Sequence, residues 1–237
     1  GPDFYQDKQL NLLDEEERYR INAFDWNAEF PEVFAPSPAG RGQGEGSGFD
    51  VVIGNPPYVR QEELGAAKAY YQSHYKTFRS TADLYVNFIE KELSLIKKTG
   101  LFGMIVSNKW LRAAYGQPLR EFLADGVSVL QIVDLSGLPV FANATVRTII
   151  LICSPRPNQT DTIHYLAPVP LEDFRTIHSG GRLQELVDQQ AIDLPVSGLS
   201  PYGWSLSGYD TQQLVERMQQ VSDPLREHIQ GKSFFGV

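Results

Sequence analysis

The chain has 237 residues, 42 % hydrophobic and 11 % aromatic, enough to bury a core and to exclude disorder over most of its length. A net charge of −8 argues against a dedicated nucleic-acid-binding module, which carries a basic excess, but not against a domain whose nucleic-acid grip lies elsewhere. No apolar run approaches the roughly 20 residues of a membrane span, no signal segment opens the chain, and Cys153 is the single cysteine, so an internal disulfide and a cysteine-built metal site are excluded and a cytoplasmic protein is expected.

The first element is a helix suggested by "LLDEEERYRI" within the polar residues 3 to 20. "INAFDWNAEFPEVF" (21 to 34) follows, then "APSPAGRGQGEGSG" (35 to 48), whose composition is that of a flexible loop. Its glycines do not make a phosphate loop, because such a loop needs a strand before it and a helix after it. "FDVVI" (49 to 53) is a short apolar run of the kind buried on both faces of a sheet. A helix is expected over 64 to 75 and a longer one over 82 to 100, with Leu84, Phe88, Leu95 and Ile96 on one face, Lys97 and Lys98 in its last turn and Gly100 as its stop. "LFGMIVS" (101 to 107), "VLQIVDLS" (129 to 136) and "TVRTIILIC" (145 to 153) read as strands, with a short helix begun near Pro118 over 116 to 125. The alternation argues for an α/β fold with a mostly parallel sheet. No helix separates the last two of these strands, so the fourth is expected to run antiparallel.

After Pro155 the alternation stops. One more strand is expected in "TIHYLAPV", mixed structure over 171 to 207, and helices over 210 to 221 and 222 to 231, the latter capped by Ser222. His74, His164, His178 and His228 have no spacing for a metal or a triad, and no metal site is expected. Cys153 reads as a core residue.

The chemistry-bearing stretch is Asn55-Pro56-Pro57-Tyr58, directly after the first buried strand. Ligands of open α/β sheets bind beyond the carboxyl ends of strands. Proline lacks an N–H, so this turn is stiff and its carbonyls are free of ladder duty. The stretch offers two acceptors, the Asn55 amide oxygen and a backbone carbonyl, beside an aromatic face. Two acceptors suit an amine or amide with two N–H bonds, and the ring suits a planar group. The bland alternative is a proline turn with a capping Asn and a packed Tyr.

"FDVVIGNPPYVRQEEL" resembles the catalytic motif of N6-adenine DNA methyltransferases, and "FDWNAEFPEVF", "ADLYVNFIEKELSLIKKTGLFGMIVSNKWL", "LREFLADGVSVLQIVDL" and "PVFANATVRTIILI" follow in the order of the large adenine methylases of type IIG restriction–modification and phage-defence systems. The resemblance covers residues 21 to 153, with a weaker echo at "IQGKSFFGV". It implies part of an S-adenosylmethionine-dependent methyltransferase (Rossmann-like) sheet with an antiparallel hairpin at one edge and a mixed C-terminal extension. It implies transfer of a methyl group from S-adenosylmethionine to N6 of an adenine flipped out of double-stranded DNA. Asn55 and the Pro56 carbonyl would accept from the amino group, with Pro57 stiffening the turn, and Tyr58 and Phe141 would stack on the base. Asp25 or Phe24, with Asn55, would contact the cofactor. On this reading residues 1–170 are the catalytic part and 171–237 a connector into a truncated target-recognition region. The family's glycine-rich cofactor turn and the acidic residue after its next strand are absent from the chain, so the fragment is expected to be weak or inactive without the cofactor-binding and recognition segments of its parent. Lys109, Arg112 and Arg120 are candidate DNA contacts or ordinary surface charges. Two other readings compete: methylation of a glutamine side chain in a protein, and a non-catalytic DNA-binding subunit of methylase ancestry.

Overall fold

The strand expected at residues 49–53 is β1, Phe49–Gly54, in the computed structural model of the chain, which describes residues 24–34, 47–65, 67–141, 146–157, 159–177, 183–204 and 206, with a few positions between 214 and 223. The helix expected near residues 12–21, most of the loop 35–48, His178, and the segment from 224 onward with His228 lie outside the described residues. Two short helices come first, α1 (Trp26–Glu29) and α2 (Pro31–Phe34). After β1 come α3 (Ala67–His74), α4 (Tyr85–Leu93), β2 (Ile96–Ser107), α5 (Gln117–Gly126), β3 (Ser128–Asp134), β4 (Thr148–Ser154) and β5 (Thr162–Leu166). The chain goes on through α6 (Leu171–Ile177), α7 (Leu183–Gln190) and β6 (Ile192–Pro195) to a small hairpin, β7 (Leu199–Ser200) with β8 (Gly203–Trp204).

Six strands form one mixed sheet in the order β1-β2-β4-β3-β5-β6. β1 and β2 are parallel, joined by the crossover through α3 and α4 that parallel neighbours require. β4 inserts between β2 and β3 and runs antiparallel to both, as its helix-free approach implies. β5 is parallel to β3, and β6 returns antiparallel beside β5. The expected division after residue 170 thus falls between β5 and α6, and the residues beyond it still contribute a strand to this sheet.

α4 lays Tyr85, Val86, Ile89 and Leu93 against Phe102, Met104 and Val106 of β2, and each such side chain contributes about 1.5–3 kcal/mol when fully buried. A second cluster joins Val133, Leu135 and Leu138 to Leu166, Val169, Leu186 and Val187. Cys153 is buried in the first cluster, and burial pushes its thiol pKa up.

The sheet is mixed, not mostly parallel as expected: three of its five strand pairings are antiparallel, and the β3–β4 pair lies inside it rather than at an edge. Two further expectations are corrected. The helix placed over 82–100 ends at Leu93, and Leu95 and Ile96 leave it: the Ser94 hydroxyl donates to the Lys91 carbonyl at 2.5 Å to close the turn, and Ile96 already pairs with Phe49. Lys97 pairs with Asp50 across the strands instead of capping a helix. Gly100 is no helix stop. It lies within β2, where a Cβ would sit 2.6 Å from the Asp50 carbonyl oxygen and 2.9 Å from that of Phe49, so the close passage of β1 requires glycine. The second correction is to β1 itself. It is an edge strand among the described residues, and the face carrying Val51 (55 % exposed) and Ile53 (79 %) is uncovered there, while Val52 packs on the core, so β1 is not buried on both faces.

Candidate functional site

The carboxyl ends of β1, β2 and β3 point the same way, because β1 is parallel to β2 and β4 is antiparallel to both β2 and β3. Asn55-Pro56-Pro57-Tyr58 leaves the end of β1. Pro56 is buried, whereas Asn55 and Pro57 are exposed. The turn is anchored at Pro56 and exposes Asn55.

Tyr58 is held on three sides. Its hydroxyl donates to the Ile105 carbonyl of β2 at 3.2 Å. Its ring lies 6.0 Å from Tyr85 of α4 at 57° and 6.0 Å from Phe141 at 69°, an edge contact. Tyr85 is buried, and its hydroxyl is 3.3 Å from that of Tyr115. Burial pushes the Tyr58 phenol pKa up. This side chain is therefore a neutral ring, backed by a rigid aromatic neighbour. Phe141 arrives on the loop after β3 and is half-buried. Of the expected site residues, Asn55, Pro56, Pro57 and Tyr58 share one turn, and Phe141 meets Tyr58 there by an edge contact.

Asp25 and Phe24 lie elsewhere. Asp25 caps α1, with Oδ1 accepting from the backbone N–H groups of Asn27 (3.0 Å) and Ala28 (3.2 Å). Phe24 packs edge-on against Trp26 at 4.7 Å and stays 50 % exposed. Trp26 contacts Phe49 at the amino end of β1, the end opposite Asn55. A groove of about 370 Å³ lies along β1, lined by Trp26, Phe49, Val51, Val52, Ile53, Glu92 and Leu95. Phe24 and Asp25 at one end of β1 and Asn55 at the other are therefore not gathered into one cofactor pocket among the described residues.

Glu92 escaped the sequence reading. Its Oε2 is buried without a partner among the described residues, and burial pushes its pKa to about 7. A Cβ placed on Gly54, the residue before Asn55, would sit 3.8 Å from that oxygen. Asn108 and Ser136 were missed as well. Asn108 follows β2 directly, donates its backbone N–H to the Arg147 carbonyl at 2.9 Å, and donates from Nδ2 to Ser136 Oγ at 2.8 Å. The available signal was a polar side chain just past a strand's carboxyl end, the place where α/β sheets do their binding.

Of the basic candidates, Lys109 and Arg112 are exposed, but Arg120 is not a surface charge. It is buried in α5, and its guanidinium donates to the carbonyls of Pro201 (2.8 Å), Ala113 (3.0 Å) and Trp110. It ties the β7–β8 hairpin to the body of the domain. Burial lowers its pKa, and the charge of Glu121 opposes that shift. His164 pairs with Asp193 across β5 and β6 at 3.0 Å, and His74 stacks on Tyr70. Among the described residues no three His, Cys, Asp or Glu side chains gather as a metal site would require, and no helix is long and apolar enough to cross a membrane.

Known proteins give this geometry its relatives. The type II methyltransferase M.XhoI of Xanthomonas vasicola is 31 % identical over 188 residues, covering 76 % of this chain and 34 % of that protein. M.BstVI of Geobacillus stearothermophilus is 43 % identical over 96 residues, 40 % of this chain and 17 % of its own length. The type II restriction enzyme and methyltransferase RM.Eco57I of Escherichia coli is 33 % identical over 111 residues, 44 % and 11 % of the two chains. The chain spans at most about a third of the length of these relatives. Among solved structures, the type IIG restriction endonuclease BpuSI is similar with a TM-score of 0.47 and 16 % identity, over 72 % of this chain and 22 % of that one. A nuclease-deletion mutant of the type ISP enzyme LlaGI, in complex with a DNA substrate mimic, gives 0.49 and 14 %, over 70 % and 19 %. The sequence pattern of the Eco57I restriction-modification methylase family matches residues 2–141, through β1, the Asn55–Tyr58 turn, β2 and β3 as far as the Phe141 loop, and the chain belongs to that family.

Proposed function

We propose that this chain is the catalytic part of a site-specific DNA methyltransferase that acts on N6 of a flipped adenine with S-adenosylmethionine as methyl donor, within a type IIG-like restriction–modification or phage-defence enzyme. The observation that supports the proposal is the contact of Tyr58 with Phe141 in the turn that carries Asn55 and Pro56, beyond the carboxyl end of β1. The relatives' names support the reaction class and do not favour glutamine methylation.

The chain's own residues divide the work. Flipping a base costs a few kcal/mol of lost pairing and stacking. Stacking on an aromatic side chain returns about 1–3 kcal/mol per base, so two rings roughly offset the flip. Tyr58 cannot follow the base, because Ile105 and Tyr85 fix it. Phe141 is the ring that must turn outward from its edge contact to admit a base. Asn55 Oδ1 and the Pro56 carbonyl then accept the two N6–H bonds. That draws the nitrogen lone pair out of conjugation with the ring and aims it away from the acceptors. The donor, when bound, supplies a methyl group on a sulfonium. No ionised base is needed, since the amino proton leaves to solvent at the exposed Asn55. Methylation of genomic DNA by the full-length parent with labelled donor, followed by digestion to nucleosides, tests this. Label in N6-methyladenine that falls at least a hundredfold in Asn55→Ala is expected, as for loss of a group acting only in the transition state. Label in protein instead of DNA refutes it.

The cofactor site is completed by segments of the parent outside this chain. Among the described residues β1 has no partner on its outer edge and Val51 and Ile53 are exposed, which is in keeping with this, because long apolar edges are otherwise paired or covered. Residues 171–237 lead toward the parent's target-recognition region, and the enzyme works in the cytoplasm, where its DNA lies. Isothermal calorimetry of the 237-residue chain with S-adenosylmethionine is expected to give no tight binding, and a dissociation constant in the low micromolar range overturns the shared-site proposal.

A further inference from the structure

Tyr58 and Phe141 reach each other from different strands. Tyr58 is tied to β2 through the Ile105 carbonyl. Phe141 rides on the loop that leaves β3. β2 and β3 are not neighbours, because β4 lies between them. Strands spaced 4.7–4.9 Å apart put them about 9.5 Å from each other, and β4 holds both by backbone bonds, including Leu135 N–H to the Thr148 carbonyl at 2.9 Å. Beyond Leu135, the link from the Phe141 loop to the end of β2 is made by side chains.

Asn108 spans that gap. Its backbone N–H is fixed on the Arg147 carbonyl at the start of β4, and its Nδ2 reaches over the end of β4 to Ser136 Oγ at 2.8 Å. Ser136 is itself oriented by its own N–H donating to Asp134 Oδ1 at 2.8 Å. Gly137 follows with φ of 93°, a left-handed turn that points the chain back, and Leu138 is buried in the second cluster. The entry to the Phe141 loop is thus fixed at Ser136, and the partner that connects Ser136 to the Tyr58 strand is Asn108.

We propose that Asn108 is a positioning residue: its amide bond to Ser136 sets the spacing of the Tyr58–Phe141 cradle across the end of β4. The catalytic consequence rests on the reading of those two rings as the base site, but the brace does not. A displacement of about 1 Å in a positioned group can cost up to a hundredfold in rate. Asn108→Ala and Ser136→Ala both break the bond. Asn108→Asp keeps it, by accepting from the Ser136 hydroxyl.

The chain labelled with fluorinated phenylalanine gives a fluorine resonance for Phe141, assigned by its loss in Phe141→Leu. That resonance is expected to shift in Asn108→Ala and Ser136→Ala and to return in Asn108→Asp, while the resonance of the buried Phe102 stays in place. In the full-length parent, kcat is expected to fall roughly ten- to hundredfold in the two alanine variants with the KM for the methyl donor unchanged. A Phe141 resonance that does not move in Asn108→Ala overturns the inference, as does one that moves equally in Asn108→Asp. A resonance that moves as expected, in a parent that methylates no adenine, upholds the brace and overturns the reading of the cradle as a base site.

Discussion

Arg120 shows how far a single side chain's role can lie from its chemical type. The sequence offers it as a surface cation, yet it is enclosed in α5 with three carbonyls around it. A guanidinium has five donors in a fixed fork and suits carbonyls converging from different segments. Replacing it by methionine leaves the acceptors of Trp110, Ala113 and Pro201 without a donor, at about 1–3 kcal/mol for each that water does not reach. We expect Arg120→Met to lose at least about 3 kcal/mol in urea unfolding. Arg120→Lys is expected to recover only part, since one ammonium does not reproduce the fork. A loss below 1 kcal/mol means that the β7–β8 hairpin is held by other contacts. Tyr58 is the opposite case. Its aromatic face was legible as a functional group, but its hydroxyl bond to Ile105 was not, because that partner lies 47 residues away.

At the scale of the element, β2 is the instructive one. Its first residues read as the end of a helix, because "ELSLIKKTG" carries helical apolar spacing, two lysines and a glycine in the order of a helix terminus. The competing demand comes from β1. Phe49 takes Ile96 as its partner and Val51 takes Leu101, so the strand absorbs residues 97–100 in an irregular passage. Gly100 makes that passage possible. We expect Gly100→Ala to destabilise the domain by about 1–3 kcal/mol through overpacking against the Asp50 and Phe49 carbonyls. A left-handed helix stop would lose about 1 kcal/mol with alanine, so a loss well above that in a thermal scan marks the strand passage. Local pattern favours helix there, and a long-range strand partner overrides it.

On the scale of the whole molecule, the sheet has one apolar edge without a partner among the described residues, and the buried carboxyl of Glu92 stands beside it. Burial raises the Glu92 pKa from its ordinary 4.5 to about 7. The folded state therefore binds the proton more tightly than the unfolded chain. Stability from this group is greatest below pH 4.5, falls as pH rises, and is lowest above about 7. Glutamine stays neutral throughout. We expect Glu92→Gln to match the wild type near pH 4 and to exceed it in melting temperature at pH 8. A gain that is the same at both values shows that the carboxyl is not the cause.

The sequence alone determined the α/β class, the antiparallel fourth strand and the end of β1 at the Asn55–Tyr58 turn. These follow from local rules: apolar period, the missing helix before residue 145, and the incompatibility of Pro56 and Pro57 with a continuing strand. Phe141 was legible only by resemblance, because a ring in a loop has no local signature. Tertiary structure alone decided what completes the site. Asn108 meets Ser136 across an intervening strand, Tyr85 backs Tyr58 from a helix, and Glu92 faces an open edge. Each depends on strand order. Sheet topology places residues about 30 positions apart within one hydrogen bond, and no pattern along the chain encodes that order.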